Sequence, residues 1–100
     1  MILEIVTIYV KPGQEAEFEA AFKEASQYVA AANGYIKHEL RRCIETRNKY
    51  LNMIHWQTVD DHMIGFRQSE AFQKFRALIS PYYDVPSEMN HYEVVMQNPA

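Results

Sequence analysis

The sequence has one cysteine, Cys43, so an internal disulfide framework is impossible and a reducing compartment, the cytoplasm, is the expected setting. It has no basic block: the formal charge of -3 is spread along the chain, which removes the electrostatic reason to expect nucleic acid or an anionic membrane as partner. It has no apolar run long enough to span a bilayer. The opening MILEIVTIYV superficially looks like a secretion signal, yet it lacks a basic leader, carries Glu4 and runs straight into Lys11-Pro12-Gly13, so it is expected to be a strand. At 100 residues there is no room for a second domain, and one domain over residues 1–100 is expected. What the chain does have is core material, 48% hydrophobic residues and 13% aromatics, enough for one packed interior.

Residues 2–10 are dominated by Ile, Val, Thr and Tyr and are closed by Lys11-Pro12-Gly13, a strand followed by a turn. From Gln14 to Ala32, Phe18, Ala21, Phe22, Ala25, Val29 and Ala32 recur at helical spacing, Glu15, Glu17 and Glu19 favour the N-terminal end, and Asn33-Gly34 supplies a left-handed stop. Two alternating stretches, 35–43 and 49–57, flank the polar segment Glu45-Thr46-Arg47-Asn48 and predict an antiparallel hairpin. Thr58 and Asp61 have the spacing of a capping box, which predicts a short helix to about Arg67. A second helical segment opens at Ser69-Glu70, carries Phe72, Phe75 and Ile79 on one face and stops at Pro81. Residues 82–90 are expected to be a loop and 91–96 the last strand.

This order, strand, helix, strand, strand, helix, strand, predicts an α+β ferredoxin-like split βαβ sandwich: one antiparallel sheet with helices on one face. On the first and third strands both alternating sets are largely apolar, Leu3, Ile5 and Tyr9 against Ile2, Val6 and Ile8, and Leu51 and Met53 against Tyr50, Ile54 and Trp56. The face without helices therefore needs a cover, and a homodimer packed sheet against sheet is the simplest one.

Period-two alternation places Tyr50, Asn52, Ile54 and Trp56 on one face of the third strand, with His55 on the other. Trp56 alone reads as a core aromatic whose indole N–H finds an acceptor. Asn52 is more informative, because an amide aimed into an apolar face costs on the order of 1–3 kcal/mol unless paired. His62, one turn into the following helix, is biased towards neutral imidazole by the helix N-terminus, or is simply an exposed helix-start residue. Arg76 lies among Phe72, Phe75 and Ile79, so its stem can follow the apolar stripe while its guanidinium reaches the sheet edge or solvent. Tyr82-Tyr83 with Asp84 and Pro86 can form a lid or merely pack a loop. The histidines lack HxH, HxxxH or HExxH spacing, and no metal site is expected. RNA binding, which uses similar topologies, is disfavoured because KYLNMIHW carries neither glycine nor repeated exposed aromatics.

The motifs PGQEAEFEAAF, GYIKHELRRCIE, YLNMIHWQTVDDHMIGFRQSEAFQKFRAL and HYEVV, in this order and spacing, resemble the antibiotic biosynthesis monooxygenase (ABM) domain family over nearly the whole chain. The resemblance implies a ferredoxin-like fold that dimerises through its sheets into an α/β barrel. It also implies a pocket between sheet and helices in which a phenol is oxidised to a quinone by dioxygen, with no metal or flavin. Asn52 and Trp56 match the pocket asparagine and tryptophan of quinone-forming members and Arg76 their arginine, while His62 stands where they have tyrosine. Haem degradation, as in another branch of the superfamily, is not expected, because the strand-one asparagine is replaced by Ile5, Val6 or Thr7 and the last-helix histidine by Arg76. A branch acting on a small phosphorylated dione remains open, as does a dimer that only binds a small apolar ligand.

Such a site needs a base, donors for a phenolate and a dry aromatic wall. The resulting assignment makes His62, Asn52 and Arg76 catalytic. Trp56, Tyr50, Phe72 and Tyr82 are assigned to substrate binding, and no cofactor is required.

Overall fold

The computed structural model describes residues 1–100. Four strands, β1 (Ile2–Tyr9), β2 (Tyr35–Arg42), β3 (Lys49–Trp56) and β4 (Glu88–Tyr92), form a sheet of order β2-β3-β1-β4 with every neighbouring pair antiparallel. Two helices, α1 (Glu15–Ala30) and α2 (Glu70–Ile79), supply the crossovers of a ferredoxin-like α+β fold.

The helix α1 begins just beyond Gly13, whose positive φ of 89° reverses the chain and whose N–H donates to the Glu15 carboxylate at 3.0 Å. Phe18, Phe22, Ala25 and Val29 are the buried stripe of this helix. Burying each large member contributes about 1.5–3 kcal/mol, far more than the helix's own propensity. Below them lie Ile8, Tyr50, Ile54 and Trp56, and the core closes against Phe66, Phe75 and Ile79 from the α2 side. Ser69 caps α2 by accepting from the Phe72 N–H at 3.2 Å. Gly34 is required twice: its φ of +81° disfavours any side chain, and a Cβ there would collide with the Asp61 carboxylate.

Several expectations change. The segment after β3 is not an ordinary helix: after Val59-Asp60 it widens into a π-helical turn over Asp61–Phe66, closed by the Arg67 N–H donating to the His62 carbonyl at 2.7 Å. Thr58 does cap it, accepting from the Asp61 N–H at 3.1 Å, but the Asp61 carboxylate accepts from the Thr58 hydroxyl at 2.9 Å instead of a backbone donor. In β2, Tyr35 pairs with Trp56 and Lys37 with His55, so Ile36 is an extra residue that shifts the register.

The last strand is Glu88–Tyr92, not 91–96. Val94, Val95 and Met96 are 70%, 94% and 79% exposed. Their apolar character mimics a strand, but the pairing is set by Met89 opposite Val6 and His91 opposite Glu4, which turn towards the helices. Residues 80–82 form a short 3-10 turn that spans the helix stop expected at Pro81 and the first residue of the loop expected over 82–90.

The opposite face of the sheet carries Leu3, Ile5, Leu51, Met53 and His55, each only partly buried. His55 Nδ1 is shut off from solvent with no hydrogen-bond partner. His38 pairs opposite Ile54 and so faces the helices, leaving it unable to meet His55 in a metal site.

Candidate functional site

The helix-side face of the sheet is continuous apolar packing at one end and polar at the other. β3 sends Tyr50, Asn52, Ile54 and Trp56 inward, all buried. β1 sends Glu4 to the same face, where its carboxylate is 5% exposed and lies across from Ile54 on one side and His91 on the other. From above, the π-helical turn lowers His62, 3% exposed, onto Trp56, with ring centroids 5.3 Å apart and planes 21° from parallel.

These groups are joined in a chain. The Trp56 indole Nε1–H donates to Glu4 Oε1 at 2.9 Å. His62 Nε2 meets the same oxygen at 3.3 Å, and His62 Nδ1 lies 2.8 Å from His91 Nε2. Burial pushes the Glu4 carboxyl from 4.5 up to about 7, against the opposing pull of the Trp56 hydrogen bond and the Arg67 charge. Burial, then the neighbouring His91 and Arg67, push His62 from 6.5 down to about 4. Near pH 7 the imidazole is therefore neutral, and its 3.3 Å contact with Glu4 is not an ion pair.

A cavity of about 360 Å³ opens beside this chain. Glu4, Asn52, Ile54, His62, Phe66, Phe75 and Ile79 form its buried floor, and Arg67, Arg76, Pro86 and Ser87, all exposed, stand at its mouth. Phe72, Tyr83 and Met89 complete the walls. Its volume lies within the roughly 300–1,000 Å³ of ordinary small-ligand pockets. Asn52 Oδ1 is buried without a hydrogen-bond partner, the kind of orphan that a ligand's hydroxyl would satisfy. Arg67 and Arg76 make no ion pair with any carboxylate; the two arginines that do, Arg41 and Arg42, lie on β2. Burial also raises the Tyr83 hydroxyl to about 12, so it remains a neutral donor. Glu4, His62 and His91 do not converge as metal ligands: Glu4 and His91 engage opposite nitrogens of the His62 ring, and no group of three or more His, Cys, Asp or Glu is disposed to hold a metal ion.

Of the residues singled out in the sequence, Asn52, His62, Arg76 and Phe72 line this one cavity, and Trp56, Tyr50 and Tyr82 do not. Trp56 is 0% exposed and sits behind Glu4, to whose carboxylate its indole N–H donates. Tyr50 lies at the other end of the core, donating to Glu19 at 2.5 Å. Tyr82 packs on Phe18, and its neighbour Tyr83 takes the wall position. His62 lines the cavity with Nδ1 2.8 Å from His91 Nε2 and Nε2 3.3 Å from Glu4 Oε1.

The carboxylate that organises the site was missed. Its signal was present: Glu4 is the one charged residue in the inward set Ile2, Glu4, Val6, Ile8, and a carboxylate in that register has to be buried. His91 was obscured by the misplaced last strand.

Sheet order, crossovers and a polar-floored cavity between sheet and helices define a ferredoxin-like α+β protein with a small-molecule pocket. The pattern of the antibiotic biosynthesis monooxygenase family matches residues 1–78, and the chain belongs to that family. It is 37% identical over 95 residues to the uncharacterized protein YczJ of Bacillus subtilis (strain 168), covering 95% of this chain and all of that one. Its fold superposes on a candidate antibiotic biosynthesis monooxygenase from Bordetella bronchiseptica with a TM-score of 0.91 at 39% identity, over 95% of this chain and 97% of that one. SnoaB, a cofactor-independent oxygenase from Streptomyces nogalater, shares the fold with a TM-score of 0.84 at 21% identity, over 99% and 98% of the two chains.

Proposed function

We propose that this protein oxidises a phenolic, quinol- or anthrone-type aromatic molecule to a quinone with dioxygen and without a bound cofactor. The observation that carries the reading is the juxtaposition, on one cavity floor, of a buried carboxylate with no cation within salt-bridge reach and a buried amide oxygen with no partner. In a dry site the carboxylate removes a proton from the substrate and the resulting phenolate becomes electron-rich enough to react with dioxygen. Overall, an aryl CH₂ and O₂ give a carbonyl and water: one oxygen atom enters the substrate and the other leaves with its two hydrogens.

Each side chain has a role that follows from its place. Asn52 binds the reacting oxygen function, and Arg76 at the mouth stabilises the anion that forms. Phe66, Phe72 and Phe75 hold the aromatic body and exclude water. Trp56 acts one layer behind, through Glu4.

We further assign the open sheet face to a second copy of this chain. Leu3, Ile5, Leu51 and Met53 form a half-exposed apolar surface that a second copy would cover. Residues 1–100 are on this reading one folding unit in each subunit.

Oxygen uptake by the purified protein in chelator-containing buffer, over a panel of anthrones and dihydroxynaphthalenes, tests the activity. Uptake of one O₂ per quinone formed supports it. Saturable binding of the whole panel with no uptake would make the protein a small-ligand binder instead.

A further inference from the structure

From the geometry we infer that Glu4, and not His62, is the group that takes the substrate's proton, with His62 and His91 serving to hold its carboxylate in place. This deepens the proposed oxidation and rests on it for the identity of the substrate.

Glu4 Oε1 receives both fixed contacts, the Trp56 N–H at 2.9 Å and His62 Nε2 at 3.3 Å. Oε2 takes no hydrogen bond, is not among the sealed, unpartnered atoms, and belongs to a residue on the cavity floor, so it is the oxygen a ligand meets. His62 has the opposite arrangement. We assign the tautomer in which His91 Nε2–H donates to His62 Nδ1, because it sets the His62 Nε2–H, 3.3 Å away, and not a lone pair, against the Glu4 carboxylate; in that tautomer His62 has no lone pair left for a substrate proton. His91 thus selects the tautomer of His62, and His62 with Trp56 turns Oε2 towards the cavity.

In the step itself, the substrate's O–H or acidic C–H bond breaks, its electron pair stays on the substrate, and an O–H bond forms at Glu4 Oε2. Protonation of the reduced oxygen leaving as water returns that proton, so Glu4 ends the cycle ionised. The groups around it are Trp56 from β3, His62 and Arg67 from the π-helical turn and its end, His91 from β4, and Tyr83 from the loop before β4. Among them Arg67 is the permanent cation that pulls the carboxyl's proton affinity down. Its side chain is exposed at the mouth, which leaves the carboxyl basic enough to act.

The test uses 1,8-dihydroxy-9-anthrone as probe, first without oxygen, where the absorbance of its anion reports deprotonation on the protein, and then with oxygen. Glu4→Gln should still bind the probe but lose the anion absorbance, and its turnover should fall about 10²- to 10⁴-fold. His62→Gln keeps an N–H where Nε2–H was; it should retain the anion signal and lose no more than about tenfold in turnover. His62→Leu should move the acidic limb of the kcat/KM profile to higher pH, because the carboxylate loses a donor. The inference is overturned if Glu4→Gln still forms the anion, or if His62→Gln abolishes it while Glu4→Gln does not. Should either variant fail to fold, carboxyl ¹³C titration of the wild-type protein decides: a glutamate signal titrating far above the others and perturbed by the probe supports the inference, and its absence refutes it. Anion formation without oxygen uptake would leave the base assignment standing and sink the oxidation itself.

Discussion

Two glutamates in this protein accept a hydrogen bond from a buried aromatic side chain of β3, and they have opposite chemical characters. At one end of the strand Tyr50 donates to Glu19 at 2.5 Å, and at the other Trp56 donates to Glu4 at 2.9 Å. Glu19 lies on α1 with 42% of its side chain exposed and is paired with Arg42 at 3.0 Å. Water and a guanidinium solvate its charge, so the contact closes the core and does nothing more. Glu4 has lost almost all its water and meets only the Trp56 N–H at 2.9 Å and the neutral His62 ring at 3.3 Å. Its charge is poorly solvated and its proton affinity correspondingly raised. On the proposed mechanism the same hydrogen bond is structural where the carboxylate is solvated and chemical where it is not.

The largest expected difference between the two is catalytic. In oxygen-uptake assays Glu4→Gln should abolish all but about 10⁻² of turnover or less, whereas Glu19→Gln, remote from the cavity, should stay within about twofold of wild type. Asn52→Leu removes the orphan amide: turnover should drop by roughly 10²–10³-fold, and thermal or urea unfolding should show stability unchanged or raised by about 1 kcal/mol. A large loss of stability would mean the amide has a structural partner after all.

Next in size is the dependence of stability on pH. Glu4 binds a proton more tightly folded than unfolded, so between pH 4.5 and about 7 its ionisation makes the folded state progressively less stable, by roughly 3 kcal/mol across the interval. His62 does the reverse: folded, it resists protonation, so stability rises by a similar amount, roughly 3 kcal/mol, between about pH 4 and 6.5. The two slopes nearly cancel in the wild-type protein over their shared range. Urea unfolding of Glu4→Gln should therefore show stability climbing with pH from 4 to 6.5, and that of His62→Gln should show it falling from 4.5 to 7. Parallel curves for the two variants would separate neither group from the background.

The smallest expected effects concern the remaining surfaces. Met53→Lys on the open sheet face should shift sedimentation towards monomer while leaving the circular dichroism of the fold intact. Ser replacements at Val94 and Val95, which are exposed beyond the end of β4, should change stability by no more than about 0.5 kcal/mol.

Periodicity made most of this fold legible. The stripe of α1, the inward alternation of β3 and the Ser69 cap all follow from positions in the chain, because each pattern has one way to bury its apolar side. The π-helical turn was not legible. No residue type marks one, yet it is the turn that carries the His62 ring stacked on Trp56. The last strand was displaced because Val94, Val95 and Met96 carry more β-propensity than Glu88–Tyr92, and pairing across β1 overrode that preference. Asn52 was recognisable as an amide on an apolar face. Glu4 bore the same mark and was passed over, since its partners come from 52 and 58 residues away and no local pattern brings Trp56 or His62 to it. The hydrogen-bond chain through His91 became visible only with the correct register of β4.

The most direct test of this account is oxygen consumption by wild-type protein, Glu19→Gln and Glu4→Gln side by side with one accepted anthrone at pH 8. The expected result is comparable uptake by the first two and at least a hundredfold loss in the third, with ligand binding retained. Equal uptake by all three, or none by the wild-type protein, would contradict it.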